Sequence, residues 1–143
     1  MCSGTSNTDN DKLDLEFFLP MIPPTATAQE HQVDTRGEKP RFYDPPRVAE
    51  ARAKLEAHLA QHVPPRRMEG GVRLVQKWIW PCGSRHRDGE YKITRPDKDN
   101  LEKLLDDAMT RLGYWKDDAQ VCSGITEKFW GKEPGIYIRV TEL

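Results

Sequence analysis

The stretch "RPDKDNLEKLLDDAM", from Arg95 to Met109, places two aspartates one residue apart directly before a helical pattern. Its apolar residues recur three and four positions apart, which puts them on one face of a helix: Leu101, Leu104, Leu105, Ala108, Met109 and, beyond the stretch, Leu112. Gly113 is a residue that commonly ends a helix. One aspartate is enough to cap a helix, and two neighbouring carboxylates repel each other unless a positive charge lies between them. The second aspartate therefore calls for a role other than capping.

Strand and helix patterns surround this helix on both sides. The predicted elements are a strand over 12–19, a helix that Asp44 caps and Pro64 ends, a strand over 71–80, the helix with Asp99 at its cap, a strand from Ala119 and a closing strand from Gly135. The proline-containing segment between the first strand and the first helix has no period and is predicted to be a long loop. Together these patterns predict an α+β fold: one domain over 12–143, with a four-stranded mixed sheet covered by two main helices, after a flexible tail over 1–11.

Composition narrows the class of protein. A chain of 143 residues has the size of one ordinary domain. It contains no apolar run near the ~20 residues that cross a bilayer, and its first residues are too polar for a signal peptide, so no membrane partner is expected. The three cysteines are far apart and form no C-x-x-C pair, which argues against a disulfide framework or a zinc knuckle. We therefore expect a protein of the reducing cytoplasm.

The charges are unevenly distributed although the net charge is only -1. Residues 1–65 carry 7 basic and 10 acidic side chains, residues 66–98 carry 9 and 4, and residues 99–143 carry 6 and 9. The basic middle third runs directly into the aspartate pair. This layout is expected where a polyanion is drawn to an acidic centre that holds a metal ion, although a solvated surface with ordinary lysines and arginines would give the same pattern.

A second pair of acidic residues, Asp117 and Asp118, follows the helix and precedes the next strand. If that strand folds back along the helix, one aspartate of this pair would approach Asp97 and Asp99 at the start of the helix. Three carboxylates that converge in this way would suit Mg²⁺, which prefers oxygen ligands. A bound Mg²⁺ can activate water and neutralise charge on a phosphate.

Structural interpretations of the same residues stay open. Asp99 and Glu102 match a D-x-x-E variant of the capping box, and the Asp117–Asp118 pair is compatible with a plain turn. A D-x-D motif alone is weak evidence for a metal site. His58 and His62 lie one helical turn apart, but "HLAQH" lacks the glutamate of a zinc protease motif, so two exposed histidines are expected there.

The segment "RPDKDNLEKLLDDAMTRLGYWKDDAQV", from Arg95 to Val121, resembles the signature of the RusA family of Holliday junction resolvases. The family has a D-x-D-N-L-x-K that opens a helix, and then an aromatic turn followed by D-D-A-Q-V. "LPMIPPTATAQ" resembles its proline-containing loop, "KFWGKEPGIYIRVTEL" fits its closing strands, and the likeness spans most of residues 12–143.

The resemblance implies a Mg²⁺-dependent nuclease, with Mn²⁺ as a substitute, that cuts four-way DNA junctions. Asp97, Asp99 and Asp118 would hold the metal, and Lys103 would contact the scissile phosphate. The residues implied in DNA binding are Arg85, Arg87, Lys92, Arg95, Lys98 and Asn100, of which Asn100 also supports the helix start. Paired nicks on opposite strands need two sites related by a two-fold axis, so a homodimer is expected.

Two other functions are compatible with parts of the sequence. One is a module that binds branched DNA without cutting it, although a pure binder gains nothing from acidic residues that face phosphate. The other is a D-x-D site of the glycosyltransferase type, which needs a nucleotide-binding domain that this strand order does not provide. No nucleotide cofactor is therefore expected.

Overall fold

The computed structural model of the protein describes residues 11–25, 32–34, 41–43 and 46–143. In chain order the elements are β1 (Asp14–Leu19), β2 (Gln32–Asp34), β3 (Arg41–Tyr43), α1 (Pro46–Leu59), a 3₁₀ turn (Ala60–His62), β4 (Val72–Pro81), α2 (Lys98–Leu112), a second 3₁₀ turn (Asp118–Gln120), β5 (Val121–Gly131) and β6 (Gly135–Glu142). The predicted cap at Asp44 and nearly all of the predicted tail lie outside the described residues.

A four-stranded sheet with the order β1-β6-β4-β5 forms the centre of the fold. β6 runs antiparallel to both β1 and β4, whereas β5 runs parallel to β4, so the sheet is mixed as predicted. Side chains alternate between the two faces of a strand, and in β4 the buried set is Val72, Leu74, Gln76, Trp78 and Trp80. Parallel neighbours need a crossover connection, and α2 supplies it between β4 and β5.

The predicted apolar stripe of α2 is buried over Leu101, Leu104, Leu105, Ala108 and Met109. It packs in one core with the sheet and with Leu55 and Leu59 of α1. The helix ends at Gly113, whose φ of 88° lies in the left-handed region that glycine adopts without strain. The two helices over one sheet confirm the predicted α+β architecture.

The clearest differences from the predictions are in the starts of two elements and in one predicted loop. The helix start lies two residues earlier than expected, because Asp97 and not Asp99 occupies the cap position of α2. β5 begins at Val121 rather than Ala119, because Asp118–Gln120 form a 3₁₀ turn. The segment predicted as an aperiodic loop contains β2 and β3, which pair as a separate two-stranded sheet. Three-residue strands are too short to leave a period in the sequence.

Glu142 ties together three parts of the chain that are distant in sequence. Its buried carboxylate accepts hydrogen bonds from both terminal nitrogens of Arg66, each at 2.8 Å. It also accepts from the backbone N–H groups of Leu13 at 3.0 Å and Glu69 at 2.6 Å. The Arg66 guanidinium and these N–H groups lower the pKa of Glu142 to about 2. The start of the domain, the segment before β4 and the end of β6 are therefore held at one point.

Neither helix in the described part of the chain has the length and apolar character needed to cross a membrane. Among the described residues, Cys82 and Cys122 are free thiols.

Candidate active site

Asp97 and Asp99 lie at the N-terminal end of α2, and both are exposed. The carbonyl of Asp97 accepts a hydrogen bond from the N–H of Leu101 at 3.2 Å, but its carboxylate makes no capping hydrogen bond. Asp99 Oδ1 accepts from the N–H of Asn100 at 3.1 Å. The capping box of Asp99 with Glu102 does not form, and Glu102 lies 3.6 Å from the Lys98 ammonium group instead. Helix capping therefore does not account for the carboxylate of Asp97.

The two aspartates of the second acidic pair have different surroundings. Asp117 caps the 3₁₀ turn: its Oδ1 accepts from the N–H of Ala119 at 2.9 Å, and the Gln120 side chain accepts from the Asp117 N–H. Asp118 is exposed, and its carboxylate has no such role in the turn. The turn thus uses Asp117, which leaves Asp118 as the member of the pair that is available for chemistry.

Asp106 is a candidate residue that sequence reasoning missed. Its Oδ1 atom is buried and has no hydrogen-bond partner. Burial raises the pKa of Asp106 to about 7, with further contributions from the nearby carboxylates of Asp118, Glu102 and Asp107, while Lys103 opposes the rise. Asp106 lies seven residues after Asp99, a spacing that puts both on the same helix face and was visible in the sequence.

A cleft of about 260 Å³ lies against Asp106 between α2 and β5. Its polar lining consists of Gln76, Glu102, Asp106, Ser123 and Thr126. Oxygen atoms predominate among these polar groups, which is the donor chemistry that hard cations prefer. The cleft therefore opens beside the acidic face of α2, which consists of Asp99, Glu102 and Asp106.

Asp118 lies near Asp106, in the third turn of α2, and its charge acts on that residue. No contact joins it to the two aspartates at the helix start among the described residues. Within residues 11–25, 32–34, 41–43 and 46–143, no group of three or more acidic, histidine or cysteine side chains is arranged closely enough to hold a metal ion. The unbonded buried oxygen of Asp106 and the mutual repulsion of its acidic neighbours nevertheless fit a bound cation, which would remove both costs. The three-carboxylate site remains a prediction.

Most of the basic residues implied in DNA binding are exposed. They are Arg85, Arg87, Arg95 and Lys98, while Asn100 is half-buried at the helix start. Lys103 is also exposed, and its charge acts on the acidic face through Asp106. Asp99 and Asp107 lie four residues before and after Lys103 in the sequence, but Lys103 makes no ion pair with either among the described residues.

Lys92 differs from these residues, because it is only 7% exposed. Its Nζ atom lies 4.3 Å from the ring centroid of Trp130 and 5.2 Å from that of Trp80. A cation in this position contributes through cation–π contact and packing rather than through contact with a DNA phosphate. The prediction of a direct DNA contact for Lys92 does not agree with its burial, which the sequence did not reveal.

Comparison with known proteins identifies the family of the chain. The family described as "Endodeoxyribonuclease RusA" matches residues 21–141. The chain is also similar to a protein of Lactococcus phage r1t named "Crossover junction endodeoxyribonuclease rusA", with 31% identity over 134 residues, which is 92% of this chain and 99% of the phage protein. The match covers α2, the aspartates on both sides of it and all but the first strand of the central sheet. The chain therefore belongs to the RusA family of endodeoxyribonucleases.

Proposed function

We propose that this protein is a Mg²⁺-dependent endodeoxyribonuclease that resolves four-way DNA junctions by paired symmetric nicks, in DNA recombination and repair. The observation that carries the proposal is the RusA match over residues 21–141, which includes the complete D-x-D-N-L-x-K and D-D-A-Q-V segments. The name of the phage relative supports a crossover junction as the substrate.

In this proposal Asp97, Asp99 and Asp118 hold the metal ion, with Mn²⁺ as a substitute for Mg²⁺. All three side chains are exposed, and helix or turn capping does not use the carboxylates of Asp97 and Asp118. When bound, the ion would activate water and neutralise charge on the attacked phosphate. The assignment of Asp118 rather than Asp117 is supported by the capping role of Asp117.

Lys103 supplies a cation on the same helix face. It lies four residues after Asp99 and is exposed. Its positive charge is near enough to Asp106 to lower the pKa of that residue. A compact ammonium group in this position can stabilise the negative charge that develops on the phosphate during cleavage. Lys103 is therefore the proposed phosphate contact.

The DNA backbone is held by Arg85, Arg87, Arg95 and Lys98, and Asn100 supports the start of α2. These residues lie between β4 and the first turn of α2, so their charges precede the acidic face along the chain. Cuts on opposite strands of a junction need two sites, and we propose a homodimer as the working unit. The free thiols of Cys82 and Cys122 are compatible with a reducing cytoplasm.

The second candidate is a module that binds branched DNA without cutting it. Acidic side chains that face phosphate weaken binding, and a pure binder would gain by replacing them. The acidic face of α2, with the unbonded oxygen of Asp106, favours the nuclease. The two candidates differ in one observable, which is strand cleavage in the presence of metal.

The test uses a four-way junction labelled in turn on each strand, with linear duplex of the same sequence as the control. The purified protein should nick opposite strands of the junction at symmetric positions in Mg²⁺ or Mn²⁺, and not in EDTA. The nicks should be religatable, and sedimentation should give a dimer. Binding without cleavage in either metal would favour the second candidate, and a monomer both free and on the junction would contradict the dimer.

A further inference from the structure

Two lysines hold the short segment that leads into α2. Lys128, on β5, donates from its Nζ atom to the carbonyl oxygens of Thr94 at 2.8 Å and Pro96 at 2.7 Å. Lys92 donates from its Nζ to the Thr94 hydroxyl at 2.6 Å. The backbone N–H of Lys92 also donates to the Lys128 carbonyl at 2.9 Å. The two lysines thus bind the segment from 94 to 96 through two backbone carbonyls and the Thr94 hydroxyl.

Lys92, one of the two lysines, is itself packed against aromatic side chains. Lys92 is buried, and its ammonium group lies over the rings of Trp80 and Trp130. Trp130 in turn stacks on His86, with ring centroids 3.9 Å apart and an angle of 2° between the ring planes. Burial, with the nearby charge of Lys128, lowers the pKa of Lys92. A second lysine close to a buried one costs free energy, so the hydrogen bonds that Lys128 makes must offset the repulsion between the two charges.

Lys128 binds the backbone directly before Asp97, one of the proposed metal ligands. Pro96 immediately precedes Asp97, and the Asp97 carboxylate has no capping hydrogen bond to orient it. The direction of the Asp97 side chain therefore depends on the backbone that enters the helix. Two of the three N–H donors of an ammonium group are already used by carbonyls in Lys128, so its main contact is with this backbone rather than with DNA.

We propose that Lys128 is a positioning residue for DNA cleavage, which holds the backbone before α2 so that Asp97 and Asp99 keep the orientation that phosphodiester hydrolysis requires. This inference rests on the proposed function. It assigns to Lys128 an effect on the rate of cleavage through other residues, without contact with the reacting phosphate. Displacement of a reacting group by about 1 Å is enough to cost about a hundredfold in rate.

The experiment compares Lys128→Met with Lys132→Met, which removes the same charge from an exposed position near the β5–β6 turn. Three quantities are measured: single-turnover cleavage of a junction at saturating protein, junction binding in EDTA, and deuterium exchange of the peptide over residues 94–104. Lys128→Met should cleave the junction about 10- to 100-fold more slowly than Lys132→Met. The junction affinities of the two variants should agree within about twofold. The backbone amides in the first turn of α2 should exchange deuterium faster in Lys128→Met. This variant should also need more Mg²⁺ for its half-maximal rate.

Lys128→Arg provides the rescue, because a guanidinium group can donate to both carbonyls. It should fold, and its rate should lie between those of the parent and the methionine variant; if Lys128→Met does not fold, Lys128→Arg carries the test through its Mg²⁺ dependence. Equal cleavage rates for Lys128→Met and Lys132→Met would overturn the positioning role, as would a loss that lies entirely in junction binding. Failure of the parent protein to cleave in Mg²⁺ or Mn²⁺ would overturn the proposed function instead.

Discussion

Glu142 and Asp106 are two carboxyl groups withdrawn from solvent, and their surroundings differ. Glu142 accepts hydrogen bonds from Arg66, Leu13 and Glu69, and its pKa falls to about 2. Asp106 has a buried oxygen without any partner and other carboxylates nearby, and its pKa rises to about 7. The first site stabilises the charged form of the acid, and the second opposes it.

The opposite pKa shifts indicate that the Glu142 carboxylate stabilises the fold, whereas the acidic face of α2 does not. Hydrogen bonds from a cation and two backbone N–H groups repay the desolvation of Glu142. No comparable donors surround the Asp106 oxygen, so folding alone gives no reason to keep this group of acids. The acidic face of α2 is therefore the region where a functional role is expected.

The largest expected effect is on activity at Asp118, which lies near the acidic face of α2. Asp118→Asn keeps the shape of the side chain but removes a charged metal ligand, and it should lower single-turnover cleavage at least about a thousandfold. Junction binding should be unchanged or tighter, because a negative charge near phosphate is removed. Asp117→Asn is the matched control, since its amide oxygen can still accept from Ala119. A fully active Asp118→Asn protein would contradict the metal assignment.

Lys103→Met tests the cation on the same face. Loss of one preorganised contact to developing charge typically costs about 10²–10³ in rate, so cleavage should fall at least about a hundredfold while the protein stays folded and binds junctions. Lys103→Arg should restore only part of the rate, because a planar guanidinium does not reproduce a compact ammonium. The measurement is single-turnover cleavage at saturating protein. A methionine variant within about threefold of the parent would leave Lys103 as an ordinary surface residue.

Glu142→Gln tests the structural carboxylate. It should lower the free energy of unfolding at pH 7 by about 2 kcal/mol, because an amide cannot replace the charge that Arg66 binds. The folded-state pKa lies below the ordinary 4.5, so the extra stability is present above pH 4.5 and is lost as the pH falls from there towards 2. Urea unfolding at pH 7 and pH 3 measures the difference, with exposed Glu133→Gln as the control. A difference in unfolding free energy between parent and variant that does not shrink at pH 3 would contradict this role. The rate of cleavage should be the same in both proteins.

The smallest expected effect is a gain in stability at Asp106. In EDTA at pH 8, Asp106→Asn removes a charge that burial and the neighbouring acids oppose. A gain of about 1 kcal/mol would raise the melting temperature of a domain of this size by about 4 °C. Asp107→Asn, on the next residue, should have less effect, because Asp106 holds the buried unpaired oxygen. A lower melting temperature for Asp106→Asn would show that the acidic face contributes to the fold after all.

The sequence predicted the fold where a pattern repeats within one element. The apolar stripe of α2 and the strand at 12–19 were predicted correctly, because buried side chains must follow the period of the backbone. The helix start was wrong by two residues, since Asp97 and Asp99 are equally suitable caps by residue type. The pairing of β2 with β3 was missed because neither strand is long enough to show a period.

For the site, the sequence by itself determined the order and spacing of the acidic and basic residues, and with them the family. Only the tertiary structure decided which residues of each kind have partners. It assigned Asp117 to a turn, buried Lys92 against two tryptophans and bonded Lys128 to the backbone that enters α2. The reason is physical: a period depends on neighbours along the chain, whereas burial and hydrogen bonding depend on residues such as Thr94 and Lys128 that meet only after the strands have paired.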